Sequence, residues 1–379
     1  MSDVALSKAV RTNLLSLQNT ASMMAQTQNR LATGNKVNSA LDNPTNFFTA
    51  SSLNARAGDI SALMDDMANG IQVIEAADNG LTAITKTLES MQSTLRQARQ
   101  DKSFETASYE LTASTAVGAG PGELEGGTIS FAGGATTGTA GTPVDIVFAQ
   151  GDTIDDVVTA INDAAKAGGT LEGAVRASND NGKLRIENLS TQDLTITNTG
   201  GGDGTIDGNS VRADLTAQYN ELRDQLDKLA DDASFNGINL LRGDNLKITF
   251  NELGTSDIDI QAKDGEAINS ATLGIQTFVN EADFDSDSTI DTFLAEVKGA
   301  INSVRSQSSA FGSSLSIVEN RQNFSKNMIN TLQTGAANLT LADANEEAAN
   351  LLALQTRQQL SSTALSMASQ ADQAVLRLF

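Results

Sequence analysis

From Ile290 to Leu332 the chain repeats one spacing without interruption. Ile290, Leu294, Val297, Ile301, Val304, Ser308, Phe311, Leu315, Val318, Gln322, Ser325, Ile329 and Leu332 follow at alternating steps of four and three. Only Ser308, Gln322 and Ser325 are polar. This is a heptad seam, which keeps one apolar stripe on one side of a helix. A helix this long cannot bury its stripe against itself, so it demands partners of comparable length and points to rods rather than a rounded core.

Three other segments meet that demand. Residues 3–33 carry Val10, Leu14, Leu17, Ala21, Met24, Gln28 and Leu31 in the same rhythm. Gly34 then suits a left-handed helix stop and Pro44 the first turn of a new helix. Residues 44–100 continue with Leu53, Ala57, Ile60, Met64, Met67, Ile71 and Ile74, slip phase, and resume as Leu81, Ile84, Leu88, Met91 and Leu95. A break near Gly335 precedes a terminal helix over 342–378 with two stripes. Leu351, Leu354, Leu365, Ala368, Val375 and Phe379 form one; Leu360, Ala364, Met367, Ala371, Ala374 and Leu378 form the other. One stripe can pack on the first helix, and the second needs a different partner.

The middle reads differently. Residues 112–208 hold most of the 31 glycines, with Thr-rich alternating runs. "GTISFAG", "TPVDIVFAQ", "GKLRIENL" and "DLTITNTG" read as strands, and "TIDDVVTAINDAAKA" as one helix with Thr153 as N-cap. Asn181-Gly182 is a hairpin turn. Helix returns over 209–233 through Val211, Leu215, Leu222, Leu226 and Leu229. A β-hairpin region follows from Phe235, and 263–287 is a polar, acidic linker.

Composition excludes much chemistry. The chain has no Cys and no His, which removes thiolate and imidazole catalysis and most transition-metal sites. A net charge of −22 opposes binding to nucleic acid or an anionic membrane. "DFDSDSTID" imitates a calcium loop but has Ser288 and Leu294 where Gly and Glu are needed. Acidic first-turn chemistry accounts for it, with Ser288 and Asp291 as a capping pair. Neither "GPGELEGG" nor "GGGDG" leads into a phosphate loop. No cofactor, metal or catalytic residue is expected. No apolar run is long enough to span a membrane, and the N-terminus lacks a cleavable signal pattern.

The fold class is therefore mainly α, with long antiparallel coiled-coil or bundle rods from both chain ends, a small β-hairpin and an inserted, β-rich α+β outer domain. Terminal helices occupy 1–43 and 342–379, the helical rod domain 44–111, 209–262 and 288–341, and the insert 112–208. Seamed ends on one chain leave apolar faces for like copies, and a contact that does not close produces a filament.

Four stretches resemble bacterial flagellin. They are "NRLATGNKVNSALDNP" (29–44), "NGIQVIEAADNGL" (69–81), "FNGINLL" (235–241) and the long terminal run from Ala342 to Phe379. The insert resembles the flagellin IN motif, after its Ile161-Asn162 pair. It departs from the familiar arrangement in preceding the hairpin rather than following it.

The resemblance implies a secreted, extracellular filament subunit for swimming, a homopolymer that can include sister flagellins. It further implies type III export, an export chaperone, and hook-junction and cap proteins as partners. Subunit-interface and core-packing residues would be Val10, Leu14, Leu17, Met24, Leu31, Leu351, Leu354, Leu360, Leu365, Met367 and the tail residues Val375, Leu376, Leu378 and Phe379. Phe235, Asn236 and Gly237 would start the hairpin. Leu88, Ser90 and Gln92 fall in the segment through which an animal receptor recognises flagellins, with Ser90 and Gln92 replacing its two arginines. Alternatives are a hook–filament junction protein, or a filament subunit with an adhesive outer domain.

Overall fold

The computed structural model describes residues 8–115, 119–133, 143–166, 168–199 and 202–376. The chain divides into two compact units. One comprises Met1–Asn69, Ile248–Ile258 and Val318–Phe379, the other Gly70–Lys247 and Asp259–Ile317.

The first unit contains α1 (Lys8–Thr33), the start of α2 (Pro44–Gln100), the end of α5 (Asp287–Thr340) and α6 (Ala344–Leu376). Gly34 stops α1 at φ +70°, and Asn43 caps α2 by accepting the Asn46 N–H just before Pro44. Between them Asp42 accepts the N–H groups of Asn38 and Ser39, bonds that hold its carboxyl below the usual range. Ala57 and Ile60 of α2 pack with Leu332 of α5. The break expected near Gly335 does not occur: α5 runs through it for 54 residues, about 80 Å. Ala336 beside it is buried, so the packed stripe continues to the end of the helix.

In the second unit the rest of α2 buries Ile74, Ala77, Leu81, Ile84, Leu88, Met91, Leu95 and Ala98, an unbroken three-four alternation. The matching stretch of α5 buries Ile290, Phe293, Val297, Ala300, Val304 and Phe311. Helix α4 (Ser210–Asp232) buries Leu215 and Leu226 of its expected stripe and half-buries Leu222 and Leu229, and it adds Tyr219 to the buried side. Val211 is exposed, and the buried face begins instead with Arg212. Tyr219, Phe284 and Phe293 form a ring cluster with centroids 6.0 to 6.2 Å apart.

The segment expected as an acidic linker over 263–287 is packed structure. Ile275, Val279 and Phe284 are buried, Asp227 accepts the Ser270 N–H, and Asn220 donates to the Val279 carbonyl. Its few apolar residues sit where they can anchor, which a count of acidic residues overlooks. Ser286, not Ser288, opens α5, its carbonyl accepting from Thr289 and Ile290.

Among the described residues the insert holds two antiparallel sheets and one helix, also within the second unit. One sheet has the order β1-β5-β4, with β1 Glu105–Tyr109, β5 Lys183–Asn188 and β4 Val175–Asp180. The other has the order β3-β2-β6-β7, with β2 Gly127–Gly133, β3 Val144–Phe148, β6 Leu194–Asn198 and β7 Gly204–Ile206. Helix α3 (Ile154–Ala164) opens with the expected Thr153 cap, which Asp156 completes as a capping box. Asn181 and Gly182 turn β4 into β5 with φ +51° and +87°, a type I′ geometry. The insert begins earlier than its composition indicates: Glu105 to Tyr109 pair with β5, from Glu105↔Asn188 to Tyr109↔Leu184. The later hairpin is β8 (Leu246–Thr249) with β9 (Asp257–Ile260).

Candidate functional site

Helices α1 and α6 lie against one another as an antiparallel pair. The end of α1 meets the start of α6, where Arg30 pairs with Glu347 at 3.2 Å and Asn35 bridges to Leu341. The α6 side facing α1 is Glu347, Leu351, Leu354, Gln358, Ser361, Leu365 and Ala368, all buried or half-buried. That is the first terminal stripe. The second stripe is split: Leu360 is 67% exposed, Met367 60%, and Ala371 is exposed, whereas Ala364 is half-buried. Leu352 also points outward. The side chains of Val375 and Leu376, and Leu378 and Phe379 entirely, lie outside the described residues.

On α1 the seam is half as expected. Val10, Leu17 and Met24 turn inward, but their alternating neighbours are Asn13, Thr20 and Thr27. Leu14 and Leu31 are 38% and 39% exposed, and Leu15 and Met23 join them outside. The heptad frame has two equivalent continuations from Val10, one residue apart. The structure takes the polar one. Thr20 makes this possible by donating its hydroxyl to the Ser16 carbonyl at 2.8 Å, so it enters a seam with its hydrogen bond made. A threonine at heptad spacing was the available signal.

The pair therefore has a mixed inner seam, in which Val10, Leu17, Met24, Leu351, Leu354 and Leu365 alternate with Asn13, Thr20, Thr27, Gln358 and Ser361, and outer faces with Leu14, Leu15, Met23, Leu31, Leu352, Leu360 and Met367. Burying one such side chain is worth about 1.5–3 kcal/mol. The outer faces thus leave leucine and methionine side chains uncovered by the pair.

The hairpin motif has a defined geometry. Asn236 and Gly237, at φ +51° and +82°, form a two-residue turn closed by reciprocal bonds between Phe235 and Ile238, both 3.0 Å. Asn239 follows as a connector. Its amide donates to the carbonyls of Ala230 and Asp231 at the end of α4, and its oxygen accepts from Leu241 and Arg242. Leu241 packs over Gly80 of α2, where an added Cβ would lie 2.8 Å from Leu241 Cδ1 and 2.6 Å from Ala233 Cβ. The "DNGL" and "FNGINLL" stretches thus need each other.

Of the receptor-like segment, Leu88 is fully buried in the α2 core and offers no surface. Ser90 is exposed and Gln92 half-buried. Among the described residues no group of acidic side chains could hold a metal ion, and no helix is long and apolar enough to cross a membrane.

Residues 5–116 match the bacterial flagellin N-terminal helical region, and residues 294–379 match the C-terminal helical region. Together these span more than half of the chain and contain both helices of the terminal pair. The chain belongs to the bacterial flagellin family. Residues 128–190, within the insert, match the flagellin hook IN motif. Flagellin FljK of Caulobacter vibrioides is 29% identical over 198 residues, 52% of this chain and 67% of that protein. A flagellin of Brucella melitensis is 31% identical over 158 residues, 39% of this chain and 55% of its own. Flagellin A of Rhizobium meliloti is 37% identical over 90 residues, 24% of this chain and 23% of its own. As a flagellin, the protein is a structural subunit of the extracellular flagellar filament and not an enzyme.

Proposed function

We propose that the outward faces of the α1–α6 pair are the assembly surface of this flagellin, each covered by neighbouring copies in the filament. The observation that carries this is the set of exposed leucines and methionines on the outer faces, Leu14, Leu15, Met23, Leu31, Leu352, Leu360 and Met367, which the pair itself leaves uncovered. Leu14, Leu31, Leu360 and Met367 would make contacts between copies. Val10, Leu17, Met24, Leu351, Leu354 and Leu365 would hold the pair together. Residues 1–43 and 342–379 would form the filament core, with the insert outermost.

The finer partners follow the same reading. Export through the flagellar type III apparatus with a chaperone, attachment to hook-junction proteins and growth under a cap are proposed for the chain as a filament subunit. Ser90 and Gln92 lack the bidentate donors that arginine supplies at interfaces, so recognition by the animal receptor is proposed to be weak. Reporter-cell activation equal to that of an arginine-bearing flagellin would refute it.

Seeded polymerisation tests the central claim. Leu360→Asp with Met367→Asp should leave the monomer's circular dichroism melt unchanged and stop pelleting of filaments. Filaments of ordinary yield from that variant would remove the second stripe from the interface.

A further inference from the structure

Four Asn-Gly pairs occur in the chain: Asn69-Gly70, Asn79-Gly80, Asn181-Gly182 and Asn236-Gly237. Each carries its own electrophile and nucleophile. The glycine nitrogen can attack the asparagine Cγ, and no glycine Cβ hinders the approach. To do so the nitrogen must give up its proton, and a hydrogen-bonded amide does that only when the bond opens. The fold therefore decides which of the four pairs reacts.

Three of the nitrogens are held. Gly70 and Gly80 lie inside α2, where each N–H donates to the carbonyl four residues back. Gly182 donates its N–H to Asn179 Oδ1 at 3.0 Å, and Asn179 is itself fixed by donating to Asp155 Oδ1 of α3 at 2.8 Å. Gly237 differs. Among the described residues its N–H has no acceptor, and Asn236 and Gly237 are both exposed. Gly182 and Gly237 are otherwise alike, with φ +87° and +82° and nothing within 4 Å of an added Cβ. The engaged N–H is what separates them.

We propose that Asn236 is a site of spontaneous covalent modification, losing its side-chain amide while Asn69, Asn79 and Asn181 keep theirs. The Gly237 nitrogen bonds to Asn236 Cγ, the Cγ–Nδ2 bond breaks, and ammonia leaves with the Gly237 proton. Water then opens the cyclic imide, giving its hydroxyl to a carbonyl carbon and its hydrogen to the nitrogen. Opening on one side leaves an ordinary aspartate. Opening on the other leaves isoaspartate, whose backbone is one methylene longer. Either product adds a negative charge to the turn. The longer one cannot keep both reciprocal bonds between Phe235 and Ile238, so the modified chain loses its fixed entry to the Asn239 connector.

Peptide mapping by mass spectrometry of the full-length monomer, aged at mildly alkaline pH, tests this. Asn236 should convert first. Asn181 should lag about two- to tenfold, the cost of opening one hydrogen bond. Asn69 and Asn79 should be slower still. In denaturant the four rates should converge, because glycine follows every one. Asn179→Ala frees the Gly182 N–H and should bring Asn181 up to the rate of Asn236. Folded rates that are equal, or an Asn236 slower than Asn181, would overturn the proposal, and so would an unchanged ranking in denaturant. An Asn181 still slow in folded Asn179→Ala would remove the N–H bond as the cause. If that variant folds poorly, the folded and unfolded wild-type maps decide.

Discussion

Asn162 holds both peptide groups of Ala177. Its Nδ2 donates to the Ala177 carbonyl and its Oδ1 accepts the Ala177 N–H, each at 2.9 Å. Ala177 lies on β4, an edge of the three-stranded sheet, so a helix side chain occupies hydrogen bonds that would otherwise face another strand. Ile161 beside it is fully buried. The Ile-Asn pair thus joins α3 to the sheet by packing and to its edge by pairing.

Asn162→Ala should lower insert stability by about 1–3 kcal/mol, since two backbone groups lose their partner. Asn162→Asp should cost at least as much, because a carboxylate cannot donate to the Ala177 carbonyl. Denaturant titration of the full chain, read by exchange in the insert peptides, measures both. Values within error of wild type would contradict the pairing role.

Gly80→Val should destabilise the second unit by about 1–3 kcal/mol through overpacking against Leu241 and Ala233. The companion change Leu241→Ala opens space at the same point, so the double variant should lose less than the sum of the single losses. Additive losses in urea melts would place the glycine's importance elsewhere.

Removing the insert should leave polymerisation possible if the cut respects its true start. Deleting 104–207 and joining Ser103 to Gly208 takes β1 away with its partner β5. Deleting 112–208 strands Glu105–Tyr109 without the strand they pair with. We expect filaments by electron microscopy from the first deletion, and lower solubility from the second. Complete loss of assembly by a folded 104–207 deletion would make the insert part of the filament contact.

Truncating Gln370–Phe379 should abolish filaments while leaving the monomer's melting midpoint unchanged. Those ten residues include Val375, Leu376, Leu378 and Phe379, each worth up to about 1.5–3 kcal/mol when buried. Sedimentation after seeding should pellet the full chain only; ordered filaments from the truncated chain would defeat the expectation.

The long helices were legible because heptad spacing survives any choice of neighbours, and Thr153 and Asn181-Gly182 because caps and turns are local chemistry. The phase of α1 was not. Leu14 is the obvious partner for Val10 and Leu17, yet Thr20 and Thr27 take the inner positions, since the heptad pattern alone does not choose between two faces one residue apart. β1 escaped notice because Glu105–Tyr109 is mostly polar and exposed, and only pairing with β5 makes it a strand. Arg212 was invisible as a connector: beside the Asp287 carboxylate its partners are the backbone carbonyls of Asp101, Phe284 and Asp285, which carry no side-chain signature.

The hydrogen bond between Asp101 and Asn209, where the chain leaves α2 and returns to α4, has an evolutionary reading. The polypeptide departs from and rejoins the helical framework at a single point. Whatever lies between is a closed excursion whose two ends are already adjacent. Any domain with neighbouring termini could be spliced there without changing the path of the helices. The inserted domain can then diversify as a cassette while the helices that carry it keep their register.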